Sequence, residues 1–146
     1  MLSDEPDKIN FYMAESYFSL GKYQEALSRY NSIRSSDIEY VKQVTYSKGY
    51  CHFNLGSYSN AAYQFAEFVE QYPDDIRITD AKLRLADSYF GSKNFVASSR
   101  IFKQLFQSGK YSSDDPYAYY QYAQALYKSG ETNSAINEFR NLQQKF

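Results

Sequence analysis

Residues 49–73, GYCHFNLGSYSNAAYQFAEFVEQYP, contain the pattern that decides the fold. A turn-forming glycine, Gly56, divides the stretch. A small residue stands seven positions before it (Gly49) and another five after it (Ala61), and aromatics follow at two and nine positions (Tyr58 and Phe65). Small residues let two helices approach closely, and large rings fill the adjoining grooves. Glycine suits the turn because it takes a left-handed C-cap without steric cost. The stretch therefore predicts two antiparallel helices joined by a tight turn. Its end, Tyr72-Pro73-Asp74-Asp75, predicts a stop and restart.

The same slots recur in both directions. Flanking copies begin at Ser16 (SYFSLGKYQEALSRYNSI), Ser88 (SYFGSKNFVASSRIFKQL) and Ala125 (ALYKSGETNSAINEFRNL). Their turn residues are Gly21, Lys93 and Gly130, so consecutive turns lie 35, 37 and 37 residues apart. Ala14, Ala86 and Ala123 fill the small slot before the turn. Ala26, Ser98 and Ala135 fill the one after it, and Tyr30, Phe102 and Phe139 take the late aromatic slot. Thr132 stands where the other copies have Tyr23, Tyr58 and Phe95. Apolar residues around the slots recur at three and four positions, as in Leu83, Ala86, Tyr89 and Phe90, which is helical spacing. Asp37 and Asp115 (before Pro116) are N-cap candidates, Asp4 or Ser3 with Pro6 can open the first helix, and the pairs Asp74–Asp75 and Asp114–Asp115 read as helix-start acids.

Composition narrows the function. The chain has 146 residues, 43% hydrophobic, with a formal net charge of −1. Its halves carry −3 (residues 1–73) and +2 (74–146), and no Lys/Arg-rich segment exists to bind a phosphate backbone. No apolar run approaches the ~20 residues of a membrane span, and the first residues lack a signal-peptide pattern. One cysteine, Cys51, forms no internal disulfide, and one histidine, His52, is too few for an ordinary zinc site. These two are sequence neighbours, which on a helix do not face each other, and both occupy packing slots. No catalytic residue, metal site or cofactor is expected.

The pattern resembles the tetratricopeptide repeat, whose usual period is 34 residues, over nearly the whole chain. Constant five-residue spacing from turn to small residue favours it over the Sel1-like repeat. The resemblance implies an all-α fold: a right-handed α-solenoid of four helix–turn–helix units, about eight antiparallel helices. The repeats fall at about 7–37, 38–75, 76–115 and 116–146 of a single domain. It also implies a non-enzymatic interaction module. The first helix of each pair lines a concave groove that holds another protein's peptide segment or helix. Carried across, that face receives Phe11 and Glu15 from the first repeat, Tyr46 and Tyr50 from the second, Asp87 from the third, and Tyr117, Tyr120 and Gln124 from the fourth.

Phe18, Phe53, Phe90 and Tyr127 share the face, but the family favours rings there for packing, so Tyr50 and Tyr117 are the stronger contact candidates. The Lys–Asn–Arg clamp of chaperone-tail receptors is missing, since only Arg84 fits a clamp slot. The expected partner is a neutral or basic segment or an amphipathic helix, with no nucleic acid and no direct membrane insertion. A structural spacer or self-associating scaffold is the alternative. Ile136, Phe139 and Leu142 have no further helix to cover them, which suggests self-association through the last helix or a chain cut from a longer array. FVEQYPDDIRITDAKLRLADSYF also resembles bacterial envelope repeat proteins of the outer-membrane assembly and Tol–Pal-associated types. That likeness implies a periplasmic or envelope setting, and a cytoplasmic one otherwise.

Seventeen tyrosines stand out in the composition. The repeat accounts for most of them. Tyr12, Tyr40, Tyr63, Tyr72 and Tyr111 are assigned to linkers or outer faces.

Overall fold

A computed structural model describes residues 5–109, 111 and 115–146. Among them are eight α-helices and no strand: α1 (Glu5–Ser19), α2 (Tyr23–Asn31), α3 (Ile38–Asn54), α4 (Tyr58–Gln71), α5 (Ile78–Gly91), α6 (Phe95–Gln107), α7 (Pro116–Lys128) and α8 (Thr132–Lys145). The chain folds as an all-α helical-repeat protein of two compact units, Met1–Pro73 with α1–α4 and Asp74–Phe146 with α5–α8. In each unit two helix pairs are joined by packing of the second helix of one pair on the first helix of the next, α2 on α3 and α6 on α7.

All four turns close in one way. At the first, the Gly21 N–H donates to the Phe18 carbonyl at 2.9 Å and the Lys22 N–H to the Tyr17 carbonyl at 2.8 Å. These paired bonds satisfy carbonyls the helix end would otherwise orphan, and they demand a left-handed residue. Gly56, Lys93 and Gly130 repeat the arrangement, with φ of 76°, 66° and 92°. Lys93 thus holds a backbone conformation that glycine takes more cheaply.

The slots found in the sequence are the core. Ala14, Ala26, Ala61, Ala86, Ala123, Phe65 and Phe102 are fully buried, as is Ser98. Ser98 departs from alanine at no cost in satisfaction, because its hydroxyl donates to the Ala86 carbonyl at 2.9 Å. Gly49 serves a purpose different from the turn glycines: a Cβ there would meet three ring carbons of Phe65 at 2.8–2.9 Å. Tyr46 and Tyr50 hold that ring from the same side of α3, with centroids 6.2 and 5.3 Å away. Tyr119 stacks flat on Phe106 at 4.2 Å and joins α7 to α6.

Helix starts are mixed. Asp37 and Asp115 cap as expected, accepting from the Glu39 and Tyr117 N–H groups at 3.1 and 3.0 Å. Asp75 does not cap α5. Its carboxylate accepts from the Arg77 N–H at 2.9 Å and binds the Arg77 guanidinium through both oxygens, fixing a turn just before the helix. A side chain two residues ahead of the N-cap reaches that turn rather than the first helical N–H groups. Ser3, Asp4 and Asp114 lie outside the described residues.

Tyr72 and Tyr111 lie in the connectors after α4 and before α7, and these two and Tyr40 also make packing contacts. Tyr40, within α3, meets Phe11 of α1 edge-on at 5.1 Å. Tyr72 packs on Phe68 at 5.4 Å, and the Tyr111 hydroxyl donates to Asp115 at 2.9 Å. Tyr63, by contrast, is 66% exposed.

Candidate partner-binding faces

In the first unit the four sequence-derived residues are tied into the fold. Phe11 is half-buried between Tyr12 and Tyr40. Glu15, half-buried, accepts a 2.8 Å hydrogen bond from the buried Tyr30 hydroxyl. Burial, with the Glu15 charge and hydrogen bond adding to it, drives the Tyr30 phenol well above its ordinary range. Tyr46 and Tyr50 lie edge-on to one another at 5.1 Å and lean on Phe65 of α4. This face offers partly covered ring edges and one fixed carboxylate.

In the second unit, the face made by α5 and α7 is more open. Tyr117 and Tyr120 are 54% and 47% exposed. Tyr120 rests edge-on against Phe139 at 6.3 Å, and the Tyr117 oxygen accepts from Gln121 at 3.2 Å. Gln124 is half-buried on the same helix. Asp87, on α5, is buried. Its Oδ2 accepts from Arg84 at 2.9 Å, and its Oδ1 has no hydrogen-bond partner among the described residues. Burial raises the Asp87 carboxyl to about 6; Arg84 opposes that shift, and Asp115 and Asp80 add to it. The Tyr117 phenol is raised by burial first and then by the Asp87 charge, which puts ring and carboxylate in one electrostatic neighbourhood.

Arg84 is positioned by carboxylates on its own helix, Asp87 at 2.9 Å and Asp80 at 4.0 Å. Spacings of three and four residues bring these groups together on one helix face, a signal present in the sequence as D-x-x-x-R-x-x-D. The lock of Tyr111 on Asp115 had no such signal.

The ring repeat explains which aromatics stay free. Phe18, Phe53 and Phe90 each meet the aromatic that opens the next helix (Tyr23, Tyr58, Phe95) edge to face at 5.5, 5.5 and 5.2 Å. In the fourth copy Thr132 stands in place of that second ring, and Tyr127 is 63% exposed.

Neither Cys51 nor His52 has the setting of a nucleophile. Cys51 is fully buried, and burial first, with the Glu15 charge second, pushes its thiol up to about 12. Reactive thiols need the reverse shift. Burial and then Lys48 hold His52 below its usual value. Among the described residues no group of three or more His, Cys, Asp or Glu could hold a metal ion, and no helix is long and apolar enough to cross a membrane.

Two family models, both described as tetratricopeptide repeat, match residues 13–76 and 117–146. No curated protein matches the sequence. Solved structures share the fold. MamA of AMB-1 superposes with a TM-score of 0.75 at 13% identity, covering 95% of this chain and 72% of that one. MamA from Desulfovibrio magneticus RS-1 gives 0.71 at 15%, covering 98% and 76%. A tetratricopeptide repeat protein from Parabacteroides merdae gives 0.59 at 23%, covering 95% and 52%.

Proposed function

We propose that this chain, which belongs to the tetratricopeptide-repeat family, is a non-enzymatic protein-interaction scaffold that grips a partner's peptide segment or helix with the first helices of its repeats. The observation that carries this reading is the α5–α7 face. Two large tyrosine rings of α7 stand half in solvent there, and one of them, Tyr117, lies in the electrostatic neighbourhood of the buried Asp87 carboxylate held by Arg84. Tyrosine combines a rigid apolar surface with a hydroxyl and loses little entropy on ordering, which suits it to interfaces. Asp80, Asp87 and Asp115 against Arg84 leave this face net acidic, so a neutral or basic segment with apolar anchors fits it best. In the first unit, Phe11, Glu15, Tyr46 and Tyr50 add shape more than free contact area, because their rings and carboxylate already have partners.

The test is selection from a displayed random-peptide library on the intact chain. Enriched peptides should be neutral or basic with aromatic or aliphatic anchors, and should fail to bind the Tyr117→Ala/Tyr120→Ala variant. Enrichment of acidic peptides, or undiminished binding to that variant, would count against the reading. The Tyr63→Ala variant is the bystander control.

A further inference from the structure

We propose that the cleft between α2 and α3 binds a small monocarboxylate with an apolar tail, its carboxylate on the Lys48 ammonium and its tail against Ile33, Val41 and Val44. The site lies wholly within the first unit and uses none of the partner-binding residues.

The cleft has a volume of about 250 Å³. This is below the ~300–1,000 Å³ of drug-sized sites, so it suits a small occupant. Ile33, Tyr40, Val41 and Val44 form its apolar wall, and Lys48 is the last α3 residue along it. From Tyr40 to Lys48 the helix rises about 12 Å, the reach of a short acyl or aryl chain. The hydroxyl-bearing residues of the cleft are already engaged. Tyr30 donates to Glu15 at 2.8 Å, Thr45 donates to the Val41 carbonyl at 2.8 Å, and Ser35 accepts from the Asp37 N–H at 3.2 Å.

Lys48 is an exception within the repeat. Eight residues before the four turns stand Met13, Lys48, Leu85 and Tyr122, so only the second copy puts a charge there. Leu85 and Tyr122 are 3% and 9% exposed, which marks a packing slot. Lys48 is half-buried in it, no carboxylate lines the cleft, and Lys48 makes no ion pair among the described residues. Burial lowers its ammonium from the ordinary range. A cation taken partly out of water without a counter-charge is stabilised by an anion that reaches it. One turn further along α3, His52 is held below its usual value by burial and then by the Lys48 charge, so this end of the cleft is electropositive.

The second unit supplies the contrast. Its matching cleft beside α7, about 210 Å³, is lined by Lys103, Phe106, Tyr119, Tyr122 and Glu138. The slot of Lys48 holds the Tyr122 ring there, packed on Phe106 at 5.4 Å. Glu138 brings a carboxylate where the second repeat has Gln64. That cleft carries its own acid beside its lysine, so it offers an anion no net charge.

Titration of the intact, isotope-labelled chain with hexanoate, followed by amide chemical shifts, tests this. Signals from residues 30–48 should shift saturably, with half-saturation below about 10 mM. Acetate lacks the tail and hexylammonium the negative charge, so each should bind at least about tenfold more weakly. Lys48→Met puts an apolar side chain in the slot, as the other copies do, and should lose at least about tenfold in hexanoate affinity. Melting curves verify its folding, and Lys48→Gln replaces it if it does not fold. No saturable shift by about 50 mM hexanoate, equal shifts around Tyr122, or undiminished binding to the Lys48 variant would overturn the proposal. So would tighter binding of N-acetylglutamate amide than of hexanoate, which would assign the cleft to a partner's acidic side chain.

Discussion

Phe90 and Phe95 meet edge to face across the third turn, their ring centroids 5.2 Å apart and their planes at 76°. Lys128 lies over both rings, at 5.8 and 5.3 Å. The same pair recurs as Phe18–Tyr23 and Phe53–Tyr58 and stops at the fourth turn, where Thr132 replaces the second ring. An edge-to-face pair is worth about 0.5–1.5 kcal/mol beyond its area. Thr132→Phe should therefore cover Tyr127 and raise the melting temperature by about 2–4 °C. The gain should vanish in Tyr127→Ala/Thr132→Phe, and equal gains in both backgrounds would mean that the ring pair is not its source.

Lys93 at φ 66° invites the opposite exchange. A left-handed non-glycine residue costs about 1–2 kcal/mol, and glycine's greater unfolded entropy returns about half of that. Lys93→Gly should stabilise the chain by up to about 1 kcal/mol in chemical denaturation, with an unchanged denaturant slope.

Gly49→Ala sets two effects against each other. Alanine gains about 1 kcal/mol in helix propensity. Its methyl, however, would sit 2.8 Å from the Phe65 ring, which is fully buried between Tyr46 and Tyr50 and cannot swing away. Overpacking costs about 1–3 kcal/mol, so the net effect is destabilising. Phe65→Leu in the Gly49→Ala background should recover part of the loss, although Phe65→Leu alone destabilises.

These three residues show what the sequence carried. Slot spacing located the turns, the small contacts and the late aromatics, because helix pairing imposes those sizes at those intervals. It also placed Tyr117 and Tyr120 where rings stay in solvent. It did not separate Tyr50, which leans on Phe65, from Tyr117, since both are tyrosines on a first helix and only the opposing side chain differs. The contacts of Tyr40 with Phe11 and of Tyr111 with Asp115 were not legible, because they form through tertiary packing or a connector turn, which periodicity does not encode.

Asp87 predicts a pH dependence with a definite sign. Its folded carboxyl is raised to about 6 from 3.8, chiefly by burial. Between those values the folded chain holds a proton that the unfolded chain has released. This contribution to stability is therefore full below the unfolded value and is lost as pH rises through about 6. The melting temperature should be higher at about pH 5 than at pH 7, and Asp87→Asn should flatten that difference. A variant with the wild-type slope would place the titration elsewhere.

The central claim is that the α5–α7 face holds a partner segment through Tyr117 and Tyr120. Calorimetric titration of the tightest library-selected peptide into the wild type, Tyr117→Ala/Tyr120→Ala and Tyr63→Ala, all with matched melting curves, tests it most directly. The account predicts at least about tenfold weaker binding for the double variant and no change for Tyr63→Ala. Equal affinity for wild type and double variant would contradict it.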